Sequence, residues 1–344
     1  MLTDKNYTLA VIVPFYNCES YIGAFLDCLL EQSFLDWKAF FVDDNCTDRS
    51  ATIVQEYVYR DQRIHYVLRE REPKGSTTCR NIGLGLSQGA EYIVSLDADD
   101  LLSPHCFDQR VRFMQANPTI DFASFPTKAF WTDRFDATFW GFGVPGSQEL
   151  LLSLLYWKTL QIFGNSNIYR RKSLVKAGMK WDERLQSMTD ADFNIQSLTR
   201  GLKHSFDVDA RIDYFHRQRQ GTISKRISDP SMFESHLYYI GKEIDTIRVM
   251  YSARYDFYLR AFIVNFFDLF GKYKSPYLSL LKLGFVKQSP CFYFRIVLFM
   301  LLGMRGKSKI FRKYTTYSKE SVQRWKSIVT DSIRKKVLEE SIYE

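Results

Sequence analysis

The sequence predicts an α/β domain with a mostly parallel central sheet flanked by helices, followed by a helical C-terminal extension. Three observations carry this. Short apolar runs alternate with amphipathic segments over the first ~120 residues, the pattern of parallel strands joined by crossover helices. The second and fourth of those runs stop at carboxylates, at the strand ends where open α/β sheets bind ligands. From Met232 onward helical periodicity dominates.

The elements follow in order. Leu9 to Val13 is a continuous apolar run suited to a central parallel strand, and Pro14 is expected to end it. Residues 19–32 place Ile22, Phe25, Leu26, Leu29 and Leu30 on one helical face. Ala39 to Val42 is a second strand, closed by Asp43-Asp44. Thr47 and Asp48 can then cap a helix running to about Tyr59. Ile64 to Leu68 is a third strand, and residues 75–87 read as a helix containing Ile82, Leu84 and Leu86. A strand over 92–96 runs into Asp97, and Pro104 suits the first turn of a helix reaching Ala116. Residues 121–230 are less regular. Phe130, Trp131, Phe135, Phe139, Trp140 and Phe142 crowd one stretch there, readable as a sugar-binding or lid loop or as packed aromatic core. No G-x-G-x-x-G follows the first strand, so a dinucleotide fold of that fingerprint is not supported.

The 344 residues, 46% hydrophobic, suffice for one large or two ordinary domains with a sizeable core. Domains are expected at 1–230 and 231–344. The charge divides at the same place: residues 231–344 hold 20 Lys and Arg against 10 Asp and Glu, whereas residues 1–230 hold 27 against 29. The total of +8 thus belongs to a basic appendage on a near-neutral body. The six cysteines form no C-x-x-C pair and have no His at zinc spacing, so reduced structural thiols are expected. No signal peptide is visible. The apolar block around 296–304 falls short of the ~20 residues a spanning helix needs.

Tyr92-Ile93-Val94-Ser95-Leu96-Asp97-Ala98-Asp99-Asp100 is the most informative stretch. Three acids in four positions repel one another unless a positive group lies among them, and a divalent cation with oxygen ligands would answer that. The alternative is a solvated acidic turn in which Asp100 or Ser103 caps the next helix.

Four segments together resemble a known family. They are Val11-Ile12-Val13-Pro14-Phe15-Tyr16-Asn17, then Val42 through Ser50 with Asp43-Asp44, then Thr78-Cys79-Arg80-Asn81-Ile82-Gly83-Leu84, then Ser95 through Asp100. In this order, at strand ends, they look like the inverting family 2 glycosyltransferases of the GT-A fold, over roughly residues 8–230. The resemblance implies a nucleotide-sugar donor site including Pro14. Tyr16 would stack on the base, and Asp44 would accept the imide N–H of uracil. The family usually has Asp-Asp-Gly-Ser where this chain has Asp-Asp-Asn45-Cys46, and Asn tolerates the left-handed backbone that Gly would supply. Arg80 would contact base or phosphate, with a surface arginine as the plain alternative. Asp97 would face the ribose and the waters of a metal. Asp99 would ligate Mn²⁺ or Mg²⁺, with Asp100 capping the following helix.

Met188-Thr189-Asp190-Ala191-Asp192 resembles the family's acceptor-side segment, which makes Asp190 the base; Thr189 departs from the usual preceding acid. Asp190 as a helix-start acid favoured by the dipole is the alternative. Residues 216–224 resemble the family's basic loop: Arg217 and Ser224 match, Arg219 stands where His is common, and His216 where Tyr is common. The Q-x-x-R-W signature of processive synthases is absent from this region, so one sugar per acceptor is expected.

Between Lys272 and Lys326 lie 13 Lys and Arg and one acid, Glu320, beside the apolar block 292–302. This suggests a surface-lying anchor on anionic lipid, a buried helix with a solvated basic face, or an oligomer contact. No nucleic-acid motif accompanies the charge. The resulting expectation is a cytoplasmic enzyme, peripheral on the inner membrane face. It would move one sugar from a UDP-sugar to a glycan or lipid-linked acceptor in bacterial surface polysaccharide synthesis. The alternatives are a nucleotidyltransferase, which would want a Gly-rich basic loop after the first strand, and a sugar-binding scaffold with a lapsed site.

Overall fold

A computed structural model describes residues 6–140 save 132 and 133, residues 164–218 save 208, and scattered positions between 232 and 246. Contacts divide the chain into two units, Met1–Leu151 with Gln161–His236, and Leu152–Leu160 with Leu237–Glu344. The second unit falls almost wholly outside the described residues, as do Arg219, Ser224, the apolar block 292–302 and the basic cluster after it.

The first unit is built as the alternation predicts. Strands β1 (Tyr7–Phe15), β2 (Trp37–Asp43), β3 (Ile64–Leu68) and β4 (Ala90–Ser95) alternate with helices α1 (Ile22–Leu30), α2 (Ser50–Arg60) and α3 (Ser76–Leu86). Next come β5 (Leu101–Leu102), α4 (Cys106–Ala116), β6 (Phe122–Ser124), β7 (Thr127–Trp131), β8 (Arg134–Trp140) and β9 (Asn167–Arg170). Helices α5 (Arg171–Lys176) and α6 (Thr189–Thr199) and strands β10 (His204–Phe206) and β11 (Tyr214–Gln218) complete the order.

The main sheet runs β10-β6-β9-β4-β1-β2-β3, with β9 antiparallel to both its neighbours and the other pairs parallel. Residues 121–218, irregular by sequence, supply the rest of this sheet and most of a second, β5-β11-β7-β8. Their strands are short and mostly antiparallel, so they lack the long apolar runs that mark a central parallel strand.

Strand β1 lies between β2 and β4 and is buried almost throughout. Contrary to expectation it continues through Pro14 to Phe15. The carbonyl of Ile12 accepts the N–H of Leu96, so even positions at this end of β1 face β4. That pairing ends at Ile12↔Ser95, so the N–H that Pro14 lacks would have met no strand there. Phe25, Leu26 and Leu29 of α1 pack with Val54 of α2 and with Phe15 and Phe41 of the sheet in one core. The ring of Phe41 meets those of Phe15 and Phe25 edge-on.

Helix α3 lies close against β1 because its inward residues are small. A Cβ on Gly83 would come within 2.4 Å of Cγ2 of Ile12. This approach sets the height of Arg80, one turn earlier, above the sheet. Gly83→Ala is expected to cost about 1–3 kcal/mol, the usual range for overpacking a tight contact. Urea unfolding of the two proteins should show a lower midpoint with an unchanged slope. An unchanged midpoint would contradict the packing described.

Candidate active site

Register brings Phe15, Asp43 and Leu68 level across β1, β2 and β3. The polar residues that follow each strand therefore share one edge of the sheet. Three non-glycine residues with left-handed backbone lie at this edge or at the start of α6: Asn17 (φ 45°), Asn45 (φ 64°) and Met188 (φ 60°). Asn45 adopts the conformation that the sequence assigned to it. Such backbone concentrates where a site is held in a fixed shape.

Asp43 and Asp44 have different tasks. Asp43 shapes the turn, accepting the N–H of Cys46 (2.8 Å) and the hydroxyl of Tyr66 (2.7 Å). Asp44 is buried and forms an ion pair with Arg69 Nε at 2.5 Å; the same oxygen, Oδ1, also accepts the N–H of Gly75 (3.2 Å). The sequence reading missed Arg69, although the signal was present. It is a charge one step beyond the third strand, level with the acid one step beyond the second. Tyr16 is 45% exposed, and the ammonium of Lys74 lies 3.7 Å from its ring centre.

Arg80 is buried rather than on the surface. Its Nε donates to Ser95 Oγ (3.1 Å), Nη1 to Ser76 Oγ (3.2 Å) and Thr189 Oγ1 (3.4 Å), and Nη2 to Asp97 Oδ1 (2.9 Å). Burial works against its charge, and the carboxylates of Asp97 and Asp190 hold it protonated. One side chain thus spans the strand-end acids and the first turn of α6.

The acids after β4 occupy the link from the main sheet to β5. Asp97 is gripped on both oxygens: Oδ1 takes Arg80, and Oδ2 accepts Nδ2 of Asn165 at 2.7 Å. Asp99 is half-buried, and its carbonyl accepts Nε of Arg217 (2.7 Å). Asp100 does not cap α4. The residue before that helix is His105, with no side-chain cap. Asp100 is instead fully buried against β11. It accepts the Tyr214 hydroxyl, the N–H of Arg217 (2.7 Å) and a hydrogen bond from His216 Nδ1 (3.1 Å). A buried carboxylate is satisfied there by a whole strand, which one helix terminus could not do. Burial disfavours the His216 cation, but Asp100, with Asp97 and Asp99 behind it, outweighs burial and raises the pKa to about 9. The Arg217 guanidinium lies over the rings of Tyr21 (5.0 Å) and Phe130 (4.6 Å). Strand β11 is anchored by Asp213, whose fully buried carboxylate takes both Nε (2.9 Å) and Nη2 (2.8 Å) of Arg110.

The acceptor-side segment is fixed from two sides. Asn194 Oδ1 on α6 accepts from Asn167 Nδ2 (2.8 Å) and the Tyr169 hydroxyl (3.0 Å) of β9. Ser235 Oγ accepts the N–H groups of Gln186 (2.9 Å) and Ser187 (3.2 Å), just ahead of Met188. Asp190 follows in the first turn of α6, where the helix dipole favours an acid.

Among the described residues no three His, Cys, Asp or Glu side chains converge as a metal cage. Mg²⁺ or Mn²⁺ held by one or two carboxylates plus substrate phosphates needs none. Asp99, with hard oxygen donors at a strand end, fits that arrangement. Asp97, with both oxygens already held, fits contact through a metal's waters. Five cysteines among the described residues are free thiols, in line with the sequence.

Residues 10–178 match the family model described as glycosyl transferase family 2. The putative teichuronic acid biosynthesis glycosyltransferase TuaG of Bacillus subtilis is 35% identical over 113 residues, 33% of this chain and 44% of that protein. The uncharacterized glycosyltransferase EpsJ of the same organism is 24% identical over 247 residues, 66% of this chain and 65% of its own. The chain thus spans less than two thirds of either relative. The crystal structure of Staphylococcus aureus TarS residues 1–349 with UDP-GlcNAc superposes with a TM-score of 0.58 at 23% identity, over 78% of this chain and 76% of that one. The fold is accordingly of the GT-A type, and residues 10–178 are similar to glycosyl transferase family 2.

Proposed function

We propose that the protein is an inverting, metal-dependent glycosyltransferase that moves one sugar from a UDP-sugar to a glycan or lipid-linked acceptor in bacterial surface polysaccharide synthesis. The observation that carries this is the reach of Arg80, whose one guanidinium is bonded to Asp97 on the donor side and to Thr189, beside Asp190, on the acceptor side. The naming of TarS with UDP-GlcNAc and of TuaG in teichuronic acid synthesis supports the donor class and the pathway.

The donor's base would lie by Tyr16 and Lys74, with its imide N–H on Asp44. Arg69 pairs with that carboxylate and holds it aimed. Asp97 would meet the ribose, and Asp99 would hold Mn²⁺ or Mg²⁺. The metal's contribution when bound is to neutralise charge on the departing nucleoside diphosphate. Pro14, near the end of β1, would border the base site. Arg217 holds the Asp99 backbone, and with Arg219 and Ser224 beyond it would border the diphosphate. Asp190 takes the proton of the acceptor hydroxyl as that oxygen attacks the anomeric carbon, and the nucleoside diphosphate leaves from the opposite face. A nucleotidyltransferase would need a Gly-rich basic loop where Phe15-Tyr16-Asn17 stand.

Residues 1–230 would carry this chemistry and 231–344 would form the basic C-terminal region. That region supports a place on the cytoplasmic face of the membrane; among the described residues no helix is long and apolar enough to cross one.

Three outcomes are expected. Asp99→Asn should abolish Mn²⁺-dependent binding of UDP in calorimetry; retained binding would remove Asp99 as the ligand. Asp190→Asn should keep UDP affinity and lower transfer by at least about a hundredfold, as loss of a general base does. Transfer at the wild-type rate would refute the base assignment. The full chain should sediment with vesicles containing phosphatidylglycerol at low salt and be released at high salt. Equal binding to neutral vesicles would argue against an electrostatic anchor.

A further inference from the structure

Asn165 stands out among the buried polar residues. It lies in the 3₁₀ turn Gly164–Ser166, which packs against both β4 and α6, between the segments bearing Asp97 and Asp190. It is 2% exposed. Its carbonyl accepts Nη1 of the fully buried Arg110 (2.9 Å), so its backbone is fixed by the same arginine that anchors β11. Its Nδ2 donates to Asp97 Oδ2 at 2.7 Å.

That last bond decides the orientation of the amide. A carboxylate only accepts, so the NH₂ must face Asp97 and the amide oxygen must face away from it. The oxygen, Oδ1, is buried and has no hydrogen-bond partner. An unsatisfied buried acceptor costs about 1–3 kcal/mol. A leucine would fill the space without that cost, and it would not offer an oxygen. An oxygen without a protein partner is available to a donor group that a bound ligand brings. The neighbouring Asp97 is 32% exposed, so the amide adjoins an open part of the site.

We infer that Asn165 is a specificity residue: its Oδ1 accepts a hydrogen bond from a hydroxyl of the transferred sugar, while Asp97 holds the amide in the orientation that makes this acceptance available. The inference rests on the donor reading above and goes beyond it, because it names a contact to the sugar rather than to the nucleotide. The geometry follows from the turn. The turn packs against β4 and α6 and its amide meets Asp97, and the transferred sugar must sit between the nucleotide and the acceptor base.

The test is calorimetry in Mn²⁺ on the full chain, with UDP, UDP-GlcNAc and UDP-glucose as probes. The wild type should hold one UDP-sugar more tightly than UDP. Asn165→Ala should lower the affinity for that UDP-sugar about tenfold, the size of one hydrogen bond to a buried group, and shift UDP itself less than about threefold. Retained UDP affinity also shows that the variant is folded. An equal loss for UDP and UDP-sugar would overturn the inference, because the contact would then be to the nucleotide or the change merely structural. No loss for either would overturn it as well.

A second arm uses deoxy analogues, first on the wild type and then on the variant. Among deoxy analogues of the preferred UDP-sugar, one position should weaken binding by a comparable factor. The same analogue should weaken binding to Asn165→Ala no further. If every deoxy analogue bound the wild type as tightly as the parent, the inference would fail. A wild type that binds no UDP at all would instead refute the donor reading on which it stands.

Discussion

Electrostatic repulsion among Asp97, Asp99 and Asp100 is the constraint around which the site is built. Three carboxylates within four residues cannot sit at the end of a buried strand unless each is answered. Arg80 and Asn165 answer Asp97; Tyr214, His216 and the N–H of Arg217 answer Asp100. These partners come from α3, from the turn before β9 and from β11. The second sheet is therefore joined to the first through the acids themselves. Asp99 stands between two carboxylates so held, and its own carbonyl accepts Nε of Arg217.

Two further buried ion pairs extend the same logic. Asp44–Arg69 and Arg110–Asp213 remove charges from water, a cost that good geometry offsets only in part. Their value here is positional. Arg69 fixes which oxygen of Asp44 is already used, and Arg110 fixes both the start of β11 and the backbone of Asn165. Removing one partner from either pair would leave a charge stranded in the core, so each pair ties local shape to overall stability. Strained backbone at Asn17, Asn45 and Met188 is supported by the same surroundings.

The sequence made the first half of the fold legible because period and burial agree there. The run 64–68 is β3, and the helix expected over 75–87 is α3. The family resemblance also brought Arg80, Asp97 and the segment of Asp190 into one site. Other features depend on distant pairing. Nothing near Asp100 announces Tyr214, and helix propensity made capping the simpler reading. Arg69 and Asn165 are single polar residues whose meaning comes from what lies across the fold, 25 and 68 positions away in sequence. The short strands of the second sheet carry too few alternating positions for a period to emerge.

The proposed function requires that these strand-end acids hold a uridine nucleotide through a metal. Calorimetric titration of the full chain with UDP, and with GDP as control, with and without Mn²⁺, tests it most directly. The expected result is UDP binding that requires Mn²⁺ and weak or absent binding of GDP. Failure to bind UDP in the presence of Mn²⁺, or a preference for GDP, would contradict it.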